Sequence, residues 1–161
     1  MATVPIEHRY SKILEKNPRE IVLLRGNGCK WRRCRFCDYH LDFCLDEKEN
    51  FLLNRQVIEQ ITGEFGRLEV INSGSFCDLD KETISLILEA CITKQITTLY
   101  FECHWMHREL IADFRKKFTD AGITVKMKIG VETVVKEIYP LYKDDDRVDI
   151  LLNNTDFGVG V

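Results

Sequence analysis

The sequence predicts an α/β fold, a partial (incomplete) parallel β/α barrel. Three observations predict it. Short apolar runs of strand type alternate with amphipathic helical stretches, the pattern of parallel strands joined by right-handed crossovers. Polar, glycine-bearing or thiol-bearing residues follow the strand ends, where such barrels carry their chemistry. Residues 21–161 provide room for about 4.5 units of roughly 31 residues each, too few to close an eight-unit barrel.

Taken in order, residues 1–20 read as an N-terminal lead-in and 21–161 as the barrel domain. Tyr10, Ile13 and Leu14 have helical spacing, and Asn17-Pro18 ends that predicted helix. Residues 21–25 form a first strand that runs directly into a cysteine loop. The chain turns acidic at Asp46, Glu47 and Glu49. A helix is then predicted over 56–62, with Val57, Ile58 and Ile61 as its apolar face and Asn54 as its cap.

A second strand, 68–72, ends in the polar turn Ser73-Gly74-Ser75-Phe76. Asp80 or Asp78 caps the next helix, 81–93, whose Ile84, Ile87, Leu88 and Cys91 share one face. A third strand, 97–102, ends in Cys103-His104-Trp105. Leu110, Ile111, Phe114 and Phe118 predict a helix over 108–121, stopped by Gly122. Further on come a strand over 124–132, a short helix to Tyr139 broken by Pro140, and a strand over 148–152. No internal repeat or low-complexity linker interrupts this order.

At 161 residues the chain buries roughly 68–70% of its unfolded surface, so it needs no metal or disulfide merely to fold. Its net charge of −3 argues against non-specific nucleic-acid binding. The basic residues Arg25, Lys30, Arg32, Arg33 and Arg35 nevertheless crowd the cysteine loop. No signal peptide or eighteen-residue apolar run appears, so a cytoplasmic location is expected. Seven cysteines fit a reducing compartment better than a disulfide framework.

Three of those cysteines, Cys29, Cys34 and Cys37, share the segment RGNGCKWRRCRFCDYH with spacing C-x4-C-x2-C. Short spacings cost little loop-closure entropy, so three thiolates can converge on one metal centre. A tetrahedral zinc site would need a fourth ligand, from Cys44 or His40, and no second knuckle exists. The same spacing occurs in plant-type [2Fe–2S] ferredoxins, which need a distant fourth cysteine such as Cys77. Cys91, on a helix's apolar face, reads as a small buried hydrophobe.

The cysteine loop after the first strand, the glycine turn after the second, and Gly130-Val131-Glu132-Thr133 after the fourth together resemble a radical S-adenosylmethionine enzyme. In that family three loop cysteines hold a [4Fe–4S] cluster, which reductively cleaves S-adenosylmethionine to a 5′-deoxyadenosyl radical. The resemblance implies that Cys29, Cys34 and Cys37 ligate the cluster. It also implies that Phe36, before the third cysteine, and the turn Ser73, Gly74, Ser75 bind the cofactor, with Glu132 toward its ribose. The extra residue in C-x4-C-x2-C, against the usual C-x3-C-x2-C, marks a subgroup.

GCKWRRCRFCDYH together with NSGSFCD looks most like the 7-deazaguanine-linked branch. The activity this implies is release of queuine from queuosine or its 5′-phosphate, a salvage lyase reaction. The alternatives are another radical enzyme of this kind acting on tRNA or a 7-deazaguanine, or a non-catalytic metal-binding module. A small-molecule substrate and an electron donor such as flavodoxin or ferredoxin are the expected partners, with no membrane; nucleic acid is disfavoured but stays open through the tRNA-acting alternative.

Glu102 and His104, at the end of the third strand, are the expected catalytic residues. A carboxylate accepts from the ring N–H and amine of a guanine-like base, and a nearby ring such as Trp105 can stack on it. Asp38 and His40 would orient substrate or cover the cofactor, and Arg32, Arg33 and Arg35 would offset the cluster's charge. Asp144, Asp145 and Asp146 read as a solvated turn.

Overall fold

The computed structural model describes residues 4–34 and 37–130. Five strands form one sheet in the order β1-β2-β3-β4-β5. They are β1 (Tyr10–Ile13), β2 (Arg19–Leu24), β3 (Arg67–Asn72), β4 (Thr98–Glu102) and β5 (Thr124–Lys128). From β2 onward every pairing is parallel, and three helices fill the crossovers: α1 (Glu47–Ile58), α2 (Lys81–Thr93) and α3 (Ile111–Thr119). Among the described residues the sheet does not close on itself, as the partial-barrel reading requires. No helix of the described residues is long and apolar enough to cross a membrane.

The predicted N-terminal helix is instead β1, antiparallel to β2 with Tyr10 opposite Val22. Lys16 and Asn17 adopt positive φ values of 47° and 76°, which reverses the chain into a hairpin. The Tyr10 hydroxyl donates to Glu20 at 2.7 Å, and Leu14 is exposed, so the helical spacing has no buried face to serve.

The first crossover helix begins well before the predicted residue 56. Asp46 caps it, accepting the N–H groups of Lys48 (2.9 Å) and Glu49 (3.1 Å), while Glu47 and Glu49 oppose the positive end of the helix dipole. Asn54, read from sequence as the cap, lies inside the helix and is fully buried. Helix α2 has its predicted bounds and is capped by Asp80, whose Oδ1 accepts from Thr83 N–H at 2.7 Å. The helix predicted over 108–121 splits into a 3₁₀ turn, Trp105–Leu110, and α3.

Alternation along the parallel strands gives the sheet two different faces. Val22, Leu24, Leu68, Val70, Leu99, Phe101 and Val125 are buried in the apolar core with Val57, Ile87, Phe114 and Phe118 from the helices. Phe114 is central, with its ring 4.3 Å from Phe76 and 4.9 Å, edge-on, from Phe101. Each such side chain contributes about 1.5–3 kcal/mol by leaving water.

The register places Glu69, Tyr100, Glu102, Lys126 and Lys128 on the opposite face, with Glu69 beside Tyr100 and Glu102 beside Lys128. Glu69 is buried and paired with Arg19 and Lys128. Glu102 and Lys128 of this face line a cavity.

Candidate functional site

The loop after β2 is fixed at its root by polar side chains of α1. Arg25 N–H donates to Asn54 Oδ1, and Asn54 Nδ2 donates to Arg25 C=O, each at 2.8 Å. The Arg25 guanidinium reaches Asn50 at 2.9 Å and Glu49 at 2.7 Å. Arg25 is therefore committed to this buried network and is not part of a basic face around the thiols. Unmaking any one of these buried bonds would cost about 1–3 kcal/mol.

Two glycines let the loop pass close to its neighbours. A Cβ on Gly26 would lie 2.5 Å from the backbone oxygen of Asp78, and Gly28 has a φ of +91°. Asn27 N–H donates to that same Asp78 oxygen at 3.0 Å. Arg32 Nε donates to Cys29 C=O at 2.9 Å, and its guanidinium lies 4.7 Å from the centre of the Phe43 ring. Cys37 N–H closes a turn onto Cys34 C=O at 3.4 Å. The loop thus presents three half-buried thiols, none of them in a disulfide.

The polar turn after β3 is built just as tightly. Asn72 Nδ2 donates to Ser75 C=O at 2.9 Å, and Ser75 N–H donates to Asp78 Oδ2 at 2.8 Å. A Cβ on Gly74 would meet that Oδ2 at 2.4 Å, so glycine there makes room for a carboxylate of the fold itself. Ser75 Oγ accepts the N–H of His104 at 2.8 Å, joining this turn to the end of β4. His104 Nδ1 in turn accepts from Met106 N–H at 3.2 Å, and its ring lies 4.9 Å from that of Trp31 in the cysteine loop.

These elements surround one cavity of about 360 Å³ at the carboxyl ends of the strands. Cys29, Cys34 and Cys37 line it from the loop after β2, Ser73 and Gly74 from the turn after β3, and Glu102 and His104 from the end of β4. Seven of the residues singled out in the sequence thus meet in one place. Among the described residues Ser75 is not on the wall; it is buried and bonded within the fold. Phe36, Glu132 and the His40 side chain lie outside the described residues, as do Arg35 and the elements predicted beyond residue 130.

Asn72, Tyr39, Cys103 and Lys128 also line the cavity without having been singled out as site residues. Asn72 ends a strand whose last residues face the site, and that position was the available signal. Lys128 arrives only through the pairing of β5 with β4. Cys44 is held at the start of α1, where its sulfur accepts from Asp46 N–H at 3.4 Å, and among the described residues it is not on the cavity wall.

Three thiols lining one cavity, with a few polar side chains on a mostly apolar wall, fit the donor set of a [4Fe–4S] cluster and the volume of a small cofactor. Cys77 and Cys91 are chemically different. Burial pushes the Cys77 thiol up to about 11, with the Asp78 charge adding to the effect, and burial alone pushes Cys91 up to about 12. Both are protonated at neutral pH in the absence of a cation.

No family model matches the sequence, and no curated protein matches it. A solved structure does match: queuine lyase from Clostridium spiroforme bound to SAM and queuine, 42% identical, with a TM-score of 0.80. The match covers 91% of this chain and 64% of that one, so the chain spans somewhat less than two thirds of the relative's length. The open, mostly parallel five-stranded sheet matches the partial radical S-adenosylmethionine barrel of this neighbour. The resemblance drawn from the cysteine loop is borne out: a structural neighbour of this chain is a queuine lyase.

Proposed function

We propose that this chain carries the catalytic core of a radical S-adenosylmethionine lyase that releases queuine from queuosine or its 5′-phosphate. The observation that carries the reading is the single cavity onto which three thiols, a polar turn and a strand-end carboxylate converge. The likeness to a queuine lyase bound to SAM and queuine supports it.

Cys29, Cys34 and Cys37 would hold a [4Fe–4S] cluster. Bound there, the cluster and S-adenosylmethionine would supply reductive cleavage of the sulfonium and hydrogen abstraction from the substrate's ribose. Ser73 and Gly74 would contact the cofactor, while Ser75 serves that subsite by fixing the turn. Phe36 and Glu132 are assigned to the same cofactor on the family pattern. Glu102 would accept the ring N–H and exocyclic amine of the deazaguanine, and His104, braced by Ser75 and Trp31, would border the same pocket. Lys128, paired with Glu69 and beside Glu102 in the register, would bring a positive charge to the same wall. A flavodoxin or ferredoxin would deliver the electron, and the reducing cytoplasm would keep the thiols available.

The test is anaerobic reconstitution with iron and sulfide, followed by incubation with S-adenosylmethionine, dithionite and either queuosine or its 5′-phosphate. Formation of 5′-deoxyadenosine together with free queuine, read by mass spectrometry, is the expected result. A protein that takes up four irons and cleaves the cofactor without forming queuine from either substrate would overturn the substrate assignment. A protein that takes up no iron would overturn the whole reading.

A further inference from the structure

We propose that Cys77, Asp78 and His107 form a second metal site, distinct from the three-cysteine loop, that takes one zinc ion. Cys77 and Asp78 sit in the 3₁₀ turn Phe76–Asp78 after β3, and His107 sits in the 3₁₀ turn Trp105–Leu110 after β4. One ligand atom from each residue lies within 4.8 Å of the other two. Ligands of a tetrahedral zinc ion stand about 3.3–3.8 Å apart, given metal–ligand bonds of about 2.0–2.3 Å. Contraction by about 1 Å is within reach of side-chain rotation, because Cys77 and His107 are both only half-buried.

The donor set selects the metal. One thiolate, one imidazole and one carboxylate suit a borderline-soft divalent cation, and three protein ligands leave a fourth position for water. The Asp78 carboxylate is already held in place, since its Oδ2 accepts Ser75 N–H at 2.8 Å, and a carboxylate has acceptor capacity to spare. Such hydrogen bonding of a ligand is the usual support for a metal site.

The ion would clamp the turn after β3 to the turn after β4. It would thereby brace Ser73, Gly74 and His104, all of which line the main cavity.

Because Cys77 lies near Cys29, the experiment must separate the two groups of thiols. The full chain carrying Cys29→Ser, Cys34→Ser and Cys37→Ser together is loaded with zinc and counted by plasma mass spectrometry. The same protein is titrated with cobalt(II), which reports thiolate ligation and four-coordination in its absorption spectrum. One zinc per chain and a thiolate-to-cobalt charge-transfer band are expected. Both should vanish when Cys77→Ser is added, and His107→Ala should weaken zinc binding by about tenfold or more. Substoichiometric zinc in the folded triple variant, or zinc unchanged by Cys77→Ser, would overturn the site.

If the triple variant fails to fold, the iron-reconstituted natural chain decides the matter. There one zinc should accompany the iron and be lost alone on His107→Ala. Zinc that stays after His107→Ala, or a reconstituted chain that carries none, would overturn the proposal. Failure of the queuine-forming assay leaves these metal counts unaffected.

Discussion

The backbone N–H of His104 donates to Ser75 Oγ at 2.8 Å, a direct hydrogen bond between the turn after β3 and the end of β4. The same serine donates its N–H to Asp78 and accepts from Asn72 through its carbonyl. Ser75→Ala removes the link to His104 together with the side-chain half of the capping box, in which Ser75 Oγ accepts Asp78 N–H, and leaves a part-buried His104 N–H without that acceptor. A loss of about 1–3 kcal/mol in unfolding free energy is expected, read from urea denaturation of the apoprotein. An unchanged midpoint would show that the link does not hold the two strand ends.

Replacing Cys29, Cys34 or Cys37 singly with Ala should abolish cluster binding, measured as iron per chain after anaerobic reconstitution. Cys91→Ala should leave iron unchanged, because that thiol is buried in the core with its pKa pushed up to about 12 by desolvation. Full iron in Cys34→Ala would remove the ligand assignment. Loss of fold in these variants would instead indicate a structural metal, since structural zinc contributes folding energy outright.

Glu102→Gln tests the substrate pocket. A guanine-like base offers adjacent N–H donors that a carboxylate accepts together, and leaving them unpaired in a dry site costs about 1–3 kcal/mol, roughly five- to 150-fold in affinity. Queuine formation should fall by that order while uncoupled 5′-deoxyadenosine formation continues. A parallel fall in both would move Glu102 to the cofactor. No change in either would make it a solvated strand end.

Stability should drop in acid through Glu20 and Glu69. Burial alone would raise both, but hydrogen bonds overcome it. At Glu69 the Lys128 and Arg19 bonds win, and at Glu20 those from Thr62, Tyr10 and Gly63. Both folded carboxyls therefore titrate below the ordinary value of about 4.3. Their contribution is complete above that pH and is lost as pH falls through the lowered folded values. Urea midpoints measured between about pH 6 and 3 should fall more steeply for the natural chain than for Glu69→Gln. Parallel curves would assign the acid sensitivity to other groups.

Helix α2 was legible in the sequence because its apolar positions recur at helical spacing behind a capping aspartate. Helix α1 was misplaced because its inner face carries Asn50 and Asn54, polar residues spent on the backbone and side chain of Arg25 at the root of the cysteine loop. No periodicity scale counts such residues as buried. Strand β1 was hidden because its conformation comes from a partner, β2, and not from its own four residues. The site was legible wherever a residue directly follows a strand, as with Cys29, Ser73, Glu102 and His104. Lys128 and Tyr39 were not, since only tertiary pairing and loop path bring them to the cavity.

Asp78 also sets different evolutionary rules for two glycines. A Cβ at position 26 would strike the backbone oxygen of Asp78, whereas one at position 74 would strike its side chain. Backbone atoms are present whatever residue occupies position 78, so a side chain at 26 is excluded independently of its neighbour. Position 74 can vary only where position 78 shrinks in compensation, which gives up the carboxylate that accepts Ser75 N–H. Across homologous sequences, residues 74 and 78 should covary in size, while glycine at 26 should stand fixed and uncorrelated with either.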